Sequence, residues 1–442
     1  MQPDPGGRLI DRPAAPALLR RLRRIDVTAL TVNVTIGAGV LAMPAGLAAS
    51  AGRWSLVVLL AAFALTALLA LSLVEVASRF EVTGGPPVYA ADAFGSVTGF
   101  SVGWLLGLSR AVSYAAIGQT MLNYLVALVP ALNGPWARLA VLTLFTLLLV
   151  AFNIRGVTRG ALLSNLLIVA KLLPLLPLAL AGLWLAGWND VPSNPPAEPD
   201  GITKGLALAL FACFGFEQAG IVAGEMRDPR RDIAPAILTG LAIVCVMYLL
   251  LMCAAFALLS DPASSPLPLA DAAAVLAGPA GAIVISIAAV FSCAGSMSAT
   301  MLVAPRLFYA LGERGDLPRP LAAVHEKHHT PFVSIAFLAA VAWLLAVSGT
   351  FEYLVNLFVI IRVIAYGSTS AALIRLRLRD GPAPVAVPGG MFIAVAALLC
   401  VVAVTLTTSW LAVWHVSIAL AVGLAIRAVT RNVMDARARA RE

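Results

Sequence analysis

Apolar runs of about twenty residues, the length a helix needs to cross a bilayer, follow one another along this 442-residue chain and decide which folds are open to it. Segments such as Leu56–Val74 and Ala234–Leu259 run uninterrupted, and short polar breaks rich in Gly, Pro, Asn and Asp separate them. A membrane β-barrel would instead alternate apolar and polar residues over segments of about ten. A helix satisfies its own backbone hydrogen bonds, which lipid cannot do for it. Composition agrees: 61% of residues are hydrophobic and 12% charged, against about half and about a quarter in an ordinary soluble domain. No water-soluble fold of this length hides so much apolar surface, so a single continuous membrane domain is the simplest organisation.

Twelve helices are predicted, at about 27–50, 54–79, 93–129, 137–154, 160–187, 203–226, 234–259, 276–312, 331–348, 352–377, 388–407 and 410–429. The transmembrane domain then occupies 26–431, between an N-terminal tail (1–25) and a C-terminal tail (432–442). Charge sorting tests this count. With both termini cytoplasmic, 24 of the 30 Lys and Arg residues fall on the inner side, and only Arg53, Arg138 and Lys204 on the outer. That bias follows the positive-inside rule, and one missed span would invert everything downstream of it. The net charge of +8 is concentrated in juxtamembrane clusters before the first span and after the last. It therefore points to anionic lipid and not to nucleic acid. Localisation to a cytoplasmic (inner) membrane is the expectation, as a monomer or homodimer, with no cofactor.

The five cysteines, Cys213, Cys245, Cys253, Cys293 and Cys400, all fall within predicted spans and lack metal-ligand spacing, so they read as packing residues. The arginine-rich start followed by an apolar run is not read as a cleaved signal, because that run holds the most functional-looking motif in the chain.

That motif is Asn33-Val34-Thr35-Ile36-Gly37-Ala38-Gly39-Val40, in the first helix, and a second break reads Phe211-Ala212-Cys213-Phe214-Gly215-Phe216-Glu217, in the sixth. Glycine costs about 1 kcal/mol in a helix interior, so two glycines one residue apart at mid-membrane invite unwinding. A broken helix exposes N–H groups at the start of one half and carbonyls at the end of the other. The first attract a carboxylate and the second an ammonium or a cation. An α-amino acid carries both groups on one carbon. Small residues also serve close helix packing, and that reading stands beside the functional one. If helices one to five (27–187) and six to ten (203–377) are inverted repeats, with accessory helices at 388–429, the two breaks are equivalent elements.

Thr35-Ile36-Gly37-Ala38-Gly39-Val40 followed by Pro44 resembles the first-helix signature of the amino acid–polyamine–organocation (APC) transporter superfamily. The segment Phe211–Glu217 with Glu225–Ile237, then Ala304-Pro305-Arg306, Gly315–Pro318 and Thr330-Pro331, resembles the same family from the sixth helix onward. The resemblance implies an all-α leucine-transporter-like fold: a 5+5 inverted repeat with broken helices one and six, plus two accessory helices. It also implies a site. The substrate carboxylate meets backbone N–H groups at Gly37, Ala38 and Gly39, the amino group meets carbonyls near Thr35, Phe211 and Phe214, and Ile36 and Gly215 are counted with these substrate-binding residues. Phe211 matches a gating aromatic, and Thr300 falls near another gate position by its distance from Pro318.

An ionisable side chain inside a membrane is a functional candidate. Lys171 lies mid-span and resembles the helix-five lysine of sodium-independent members, where an ammonium stands in for a cation; a structural tether is the alternative. Glu217 follows the sixth-helix break, as a coupling or gating group or as a structural acceptor. Arg110 and Arg362 either face an anionic substrate side chain or pair with an internal carboxylate such as Glu75 or Glu217, and pairing is the favoured reading. Glu225 and Glu75 read as scaffold. The run His325–His329 reads as a solvated loop, His415 as packing, and Gly84–Pro87 as a turn. The chain holds no nucleophile–base pair, zinc motif or ATP-binding loop, which disfavours an enzyme or a pump. The predicted function is secondary active amino acid transport by alternating access, proton-coupled or by exchange, with neutral amino acids leading. An acidic or cationic amino acid or polyamine exchanger is the rival within transport, and a non-transporting sensor the rival outside it.

Overall fold

In the computed structural model, residues 23–80, 85–155, 160–185, 187, 192, 194–196, 198–217 and 226–439 are described, without the side chains of residues 34, 160–171, 229–230 and 437–439. Fifteen α-helices and no β-strand occur among them. In chain order they are α1 (Arg24–Thr35), α2 (Gly39–Ala51), α3 (Ser55–Ala77), α4 (Pro86–Phe94), α5 (Ser96–Leu128), α6 (Pro135–Ile154), α7 (Gly160–Leu185) and α8 (Gly201–Cys213). They continue with α9 (Pro229–Leu258), α10 (Pro268–Val303), α11 (Pro305–Glu313), α12 (Phe332–Ser348), α13 (Phe351–Asp380), α14 (Gly390–Thr407) and α15 (Trp410–Arg439). Among the described residues, eight stretches are long and apolar enough to cross a membrane, and α8, α12 and the Leu172–Leu185 part of α7 are shorter apolar helices. The protein is a multi-pass helical membrane protein.

Four boundaries differ from the sequence reading, and each has a local cause. Pro86 and Pro87 occupy the first positions of a separate helix, α4, where only a turn was expected; their fixed φ and missing N–H suit a helix start. The helix predicted from 276 starts at Pro268 and bends at Ala277–Gly278, where the φ of Gly278 is 67°. The same predicted helix stops before 312, because Pro305 supplies no N–H to continue the ladder and opens α11 instead. Residues 432–439, expected in the tail, extend α15 to Arg439.

The two halves of the first broken helix have different neighbours. α1 packs on α9, where Thr28 Oγ1 donates to the Ala236 carbonyl at 3.3 Å. α2 packs on α8, and a methyl group added at Gly39 would lie 2.5 Å from the Ala212 Cα. The end of α2 also meets the segment leading into α8, through Arg53 N–H donating to Asn194 O at 2.9 Å. α5 and α13 run through the middle, with Tyr114, Tyr124, Arg362 and Tyr366 among the largest fully buried side chains. Away from the breaks, fully buried Glu75 of α3 accepts two bonds from Arg377 of α13, at 2.5 and 2.7 Å, and one from Val387 N–H at 3.0 Å. Glu75 is therefore scaffold, tying α3 to α13 and to the approach to α14.

Candidate functional site

Both glycine-containing breaks are present. α1 ends at Thr35 and α2 begins at Gly39, so Ile36, Gly37 and Ala38 lie between two half-helices. α8 ends at Cys213, and Phe214–Phe216 form a turn. Gly215 sits there at φ 148°, a conformation that a side chain would strain. Among the described residues, the N–H groups of Gly37, Ala38 and Gly39 donate to no backbone carbonyl outside the regular helices. A Cβ at Gly37 would meet only the Thr35 carbonyl, at 4.0 Å, so Gly37 faces open space.

A residue absent from the sequence reading joins the two breaks. The phenol of Tyr248, fully buried on α9, lies 3.0 Å from Thr35 O and 3.1 Å from Ala212 O. Its single proton is shared between two carbonyls that end opposite half-helices. Tyr248 thus already occupies one lone pair of the Thr35 carbonyl, which sequence reasoning reserved for the substrate. The available signal was a lone tyrosine in an otherwise apolar span, since a buried hydroxyl in lipid needs a partner.

Between α2, α5, α8 and α13 opens a funnel of about 450 Å³, lined among others by Leu41, Asn123, Tyr124, Lys204, Leu208 and Phe351. A second cavity of about 440 Å³ adjoins it and shares Lys204, Glu352 and Asn356. Leu41 lines both the funnel and a small recess beside the first break. The rest of that recess is formed by Ile36, Gly37, Val40, Leu175 and, from α10, Ile285, Ala288, Ala289 and Ser292. Thr300, also on α10, is buried two turns beyond Ser292. At 1.5 Å per residue that is about 12 Å along the helix, and Thr300 does not line the recess.

Phe211 packs edge-on against Phe351 and Phe358 of α13, at centroid distances of 6.0 and 5.1 Å. Phe214 contacts Phe358 and Tyr366 at 6.1 and 5.5 Å. Phe351, Phe358, Arg362 and Tyr366 are spaced seven, four and four residues apart, which places them on one helical face. That face covers the break in α8.

Glu217, two residues past Gly215, lies between the two intramembrane arginines. Arg110 Nη2 donates to Glu217 Oε1 at 3.1 Å, and Arg362 Nη1 donates to the same oxygen and also to the Tyr366 hydroxyl at 2.6 Å. The favoured reading of both arginines, pairing with an internal carboxylate, agrees with this geometry; Glu75, the other candidate, belongs to Arg377. Lys171 lies on α7, but its side chain is outside the described residues, as is Glu225. Asp228 Oδ1 caps α9 by accepting from Arg231 N–H at 3.3 Å. His325 Nδ1 accepts backbone N–H groups of its own turn, from Lys327 and His328. His415 packs edge-on against Tyr353. The described residues contain no group of three or more potential metal ligands.

Residues 22–426 match the sequence profile of the amino acid permease family. The chain belongs to that family, within the APC superfamily. An uncharacterised transporter of Mycobacterium tuberculosis is 29% identical over 375 residues, covering 82% of each chain. The serine/threonine exchanger SteT of Bacillus subtilis is 27% identical, covering 79% of this chain and 82% of its own. The branched-chain amino acid permease BcaP of the same organism is 26% identical, covering 93% and 92%. In this permease, the first-helix motif and the sixth-helix motif that carried the resemblance are the two breaks tied by Tyr248.

Proposed function

We propose that this permease is a secondary active transporter of neutral amino acids that works by alternating access. The reading includes twelve membrane spans in a leucine-transporter-like inverted repeat, both termini on the cytoplasmic side of an inner membrane, and the funnel opening outward. The observation that carries it is the meeting of two broken helices at Gly39 and Ala212, with N–H groups at Gly37–Gly39 that donate to no backbone carbonyl outside the regular helices among the described residues. That arrangement supplies an anionic and a cationic pole within a few ångströms, which suits a zwitterion. Neutral side chains suit the lining of the first break, apolar apart from Ser292, where the recess of about 10 Å³ holds no more than one water in this conformation. They are supported as well by the engagement of Arg110 and Arg362 with Glu217. Serine/threonine and branched-chain amino acids, in the names of two relatives, are neutral too. In this reading Phe211 closes over the substrate, Glu217 holds the segment after the break to α5 and α13, and Lys171 supplies a positive charge near α1.

Uptake of radiolabelled amino acids into proteoliposomes tests this, with a panel of amino acids inside and an imposed pH gradient as a second arm. Uptake that requires internal amino acid establishes exchange, and uptake driven by the gradient alone establishes proton symport. Flux restricted to acidic or cationic amino acids overturns neutral specificity. Absence of flux for every amino acid, in folded protein, overturns transport.

A further inference from the structure

The ionic network beneath the break in α8 is unbalanced. Glu217 is 5% exposed and Arg362 2%, and both guanidinium groups converge on one carboxylate oxygen. Arginine stays protonated, so the described residues of the network carry one surplus positive charge with Glu217 ionised and two with Glu217 protonated. The other buried carboxylates differ. Glu75 has a single guanidinium, and Asp316 has two, of which Arg431 is half exposed and hydrated. A surplus charge inside a membrane protein is costly unless something compensates it. The network also keeps a spare donor: Arg362 Nε is buried without a partner among the described residues. The plane of Arg362 is covered by Phe358, its guanidinium carbon 4.9 Å from the ring centroid, so the Nε edge remains for a ligand. Arg110 keeps 16% of its side chain exposed.

We propose that Arg110 and Arg362 form a binding site for a monovalent anion next to Glu217, filled by a small inorganic anion or by a carboxylate of the transported molecule. The shared chemistry is one negative charge placed on guanidinium N–H groups that Glu217 does not use. Binding cancels the surplus charge and couples α5, α13 and the segment after the α8 break. The anion therefore favours the arrangement in which these three elements are closed together. An inorganic anion there leaves neutral specificity standing, whereas a substrate carboxylate there replaces it.

The test is the apparent melting temperature of the purified full-length protein in detergent, as sodium chloride replaces sodium gluconate at constant ionic strength. A second arm adds glutamate or glutamine in gluconate. The expected result is a saturable rise with chloride, or with glutamate but not glutamine, that is absent in Arg110→Gln, where the surplus is removed. A chloride response assigns the site to an inorganic anion, and a glutamate response assigns it to the substrate. Glu217→Gln enlarges the surplus and half-saturates at an anion concentration about tenfold lower, equivalent to about 1.4 kcal/mol. No saturable rise with either anion in the wild type, or an equal rise in Arg110→Gln, overturns the site. Should Arg110→Gln fail to fold, half-saturation in Glu217→Gln at or above the wild-type value overturns it instead. A neutral amino acid that raises the melting temperature while neither anion does refutes the anion site and leaves amino acid binding standing.

Discussion

Tyr248→Phe isolates the tie between the two breaks. The substitution removes one oxygen and keeps the ring, including its edge-on contact with Phe63 at 5.8 Å. The lost hydroxyl lies 3.0 Å from Thr35 O and 3.1 Å from Ala212 O, and neither carbonyl accepts a backbone N–H outside the regular helices among the described residues. One proton shared by two acceptors counts as one hydrogen bond, about 1 kcal/mol net. Hydrogen bonds between membrane helices measure about 0.6 kcal/mol on average and about 1.7 at most. Two buried carbonyls left bare push the value upward, so about 0.6–2 kcal/mol is the working range. If the tie holds the two half-helices in register for binding, that range becomes a ~3–30-fold fall in kcat/KM. The assay is initial-rate uptake in proteoliposomes, normalised to folded transporter by size-exclusion chromatography and apparent melting temperature. The reasoning fails if Tyr248→Phe transports within twofold of wild type. It also fails if the whole deficit is a smaller folded fraction, since Tyr248 would then be an ordinary packing residue.

Two glycines two positions apart separate site from scaffold. Gly37→Ala adds a methyl to open space at the recess, so folding is retained and KM rises, whereas Gly39→Ala drives a methyl into Ala212 and lowers both yield and melting temperature. Similar behaviour of the two variants would show that the break has no distinct binding face. Arg377→Ala leaves fully buried Glu75 with only the Val387 N–H, a loss of about 2–3 kcal/mol from charged hydrogen bonds. It should appear as a lower melting temperature, largely rescued when Glu75→Gln is added, and an unrescued double variant would argue against the pair. Lys171→Ala is expected to impair uptake in folded protein, and unchanged uptake removes Lys171 from the mechanism.

Helical character and the location of both breaks were legible in the chain because each is a local property. Run length reports whether a segment can lie in lipid, and Gly-Ala-Gly or Gly215 reports where a helix cannot pay its own backbone cost. A single proline or glycine at the right offset was less legible: Pro86, Pro268, Gly278 and Pro305 reorganised helix ends that hydropathy alone left smooth. Partnership is a different matter. Arg110, Glu217 and Arg362 were visible as intramembrane charges, but two alternatives stood open, because 107 and 145 residues of chain separate Glu217 from its partners. Only the packing of α5 and α13 against the α8 break brings the three side chains together. The same holds for Tyr248, which lies 213 residues from Thr35 and 36 from Ala212. It also holds for Thr300, whose distance along the sequence suggested a gate and whose place on α10 carries it past the recess. Hydrophobicity and backbone propensity are written residue by residue, whereas hydrogen-bond and charge pairing depend on which distant helices become neighbours.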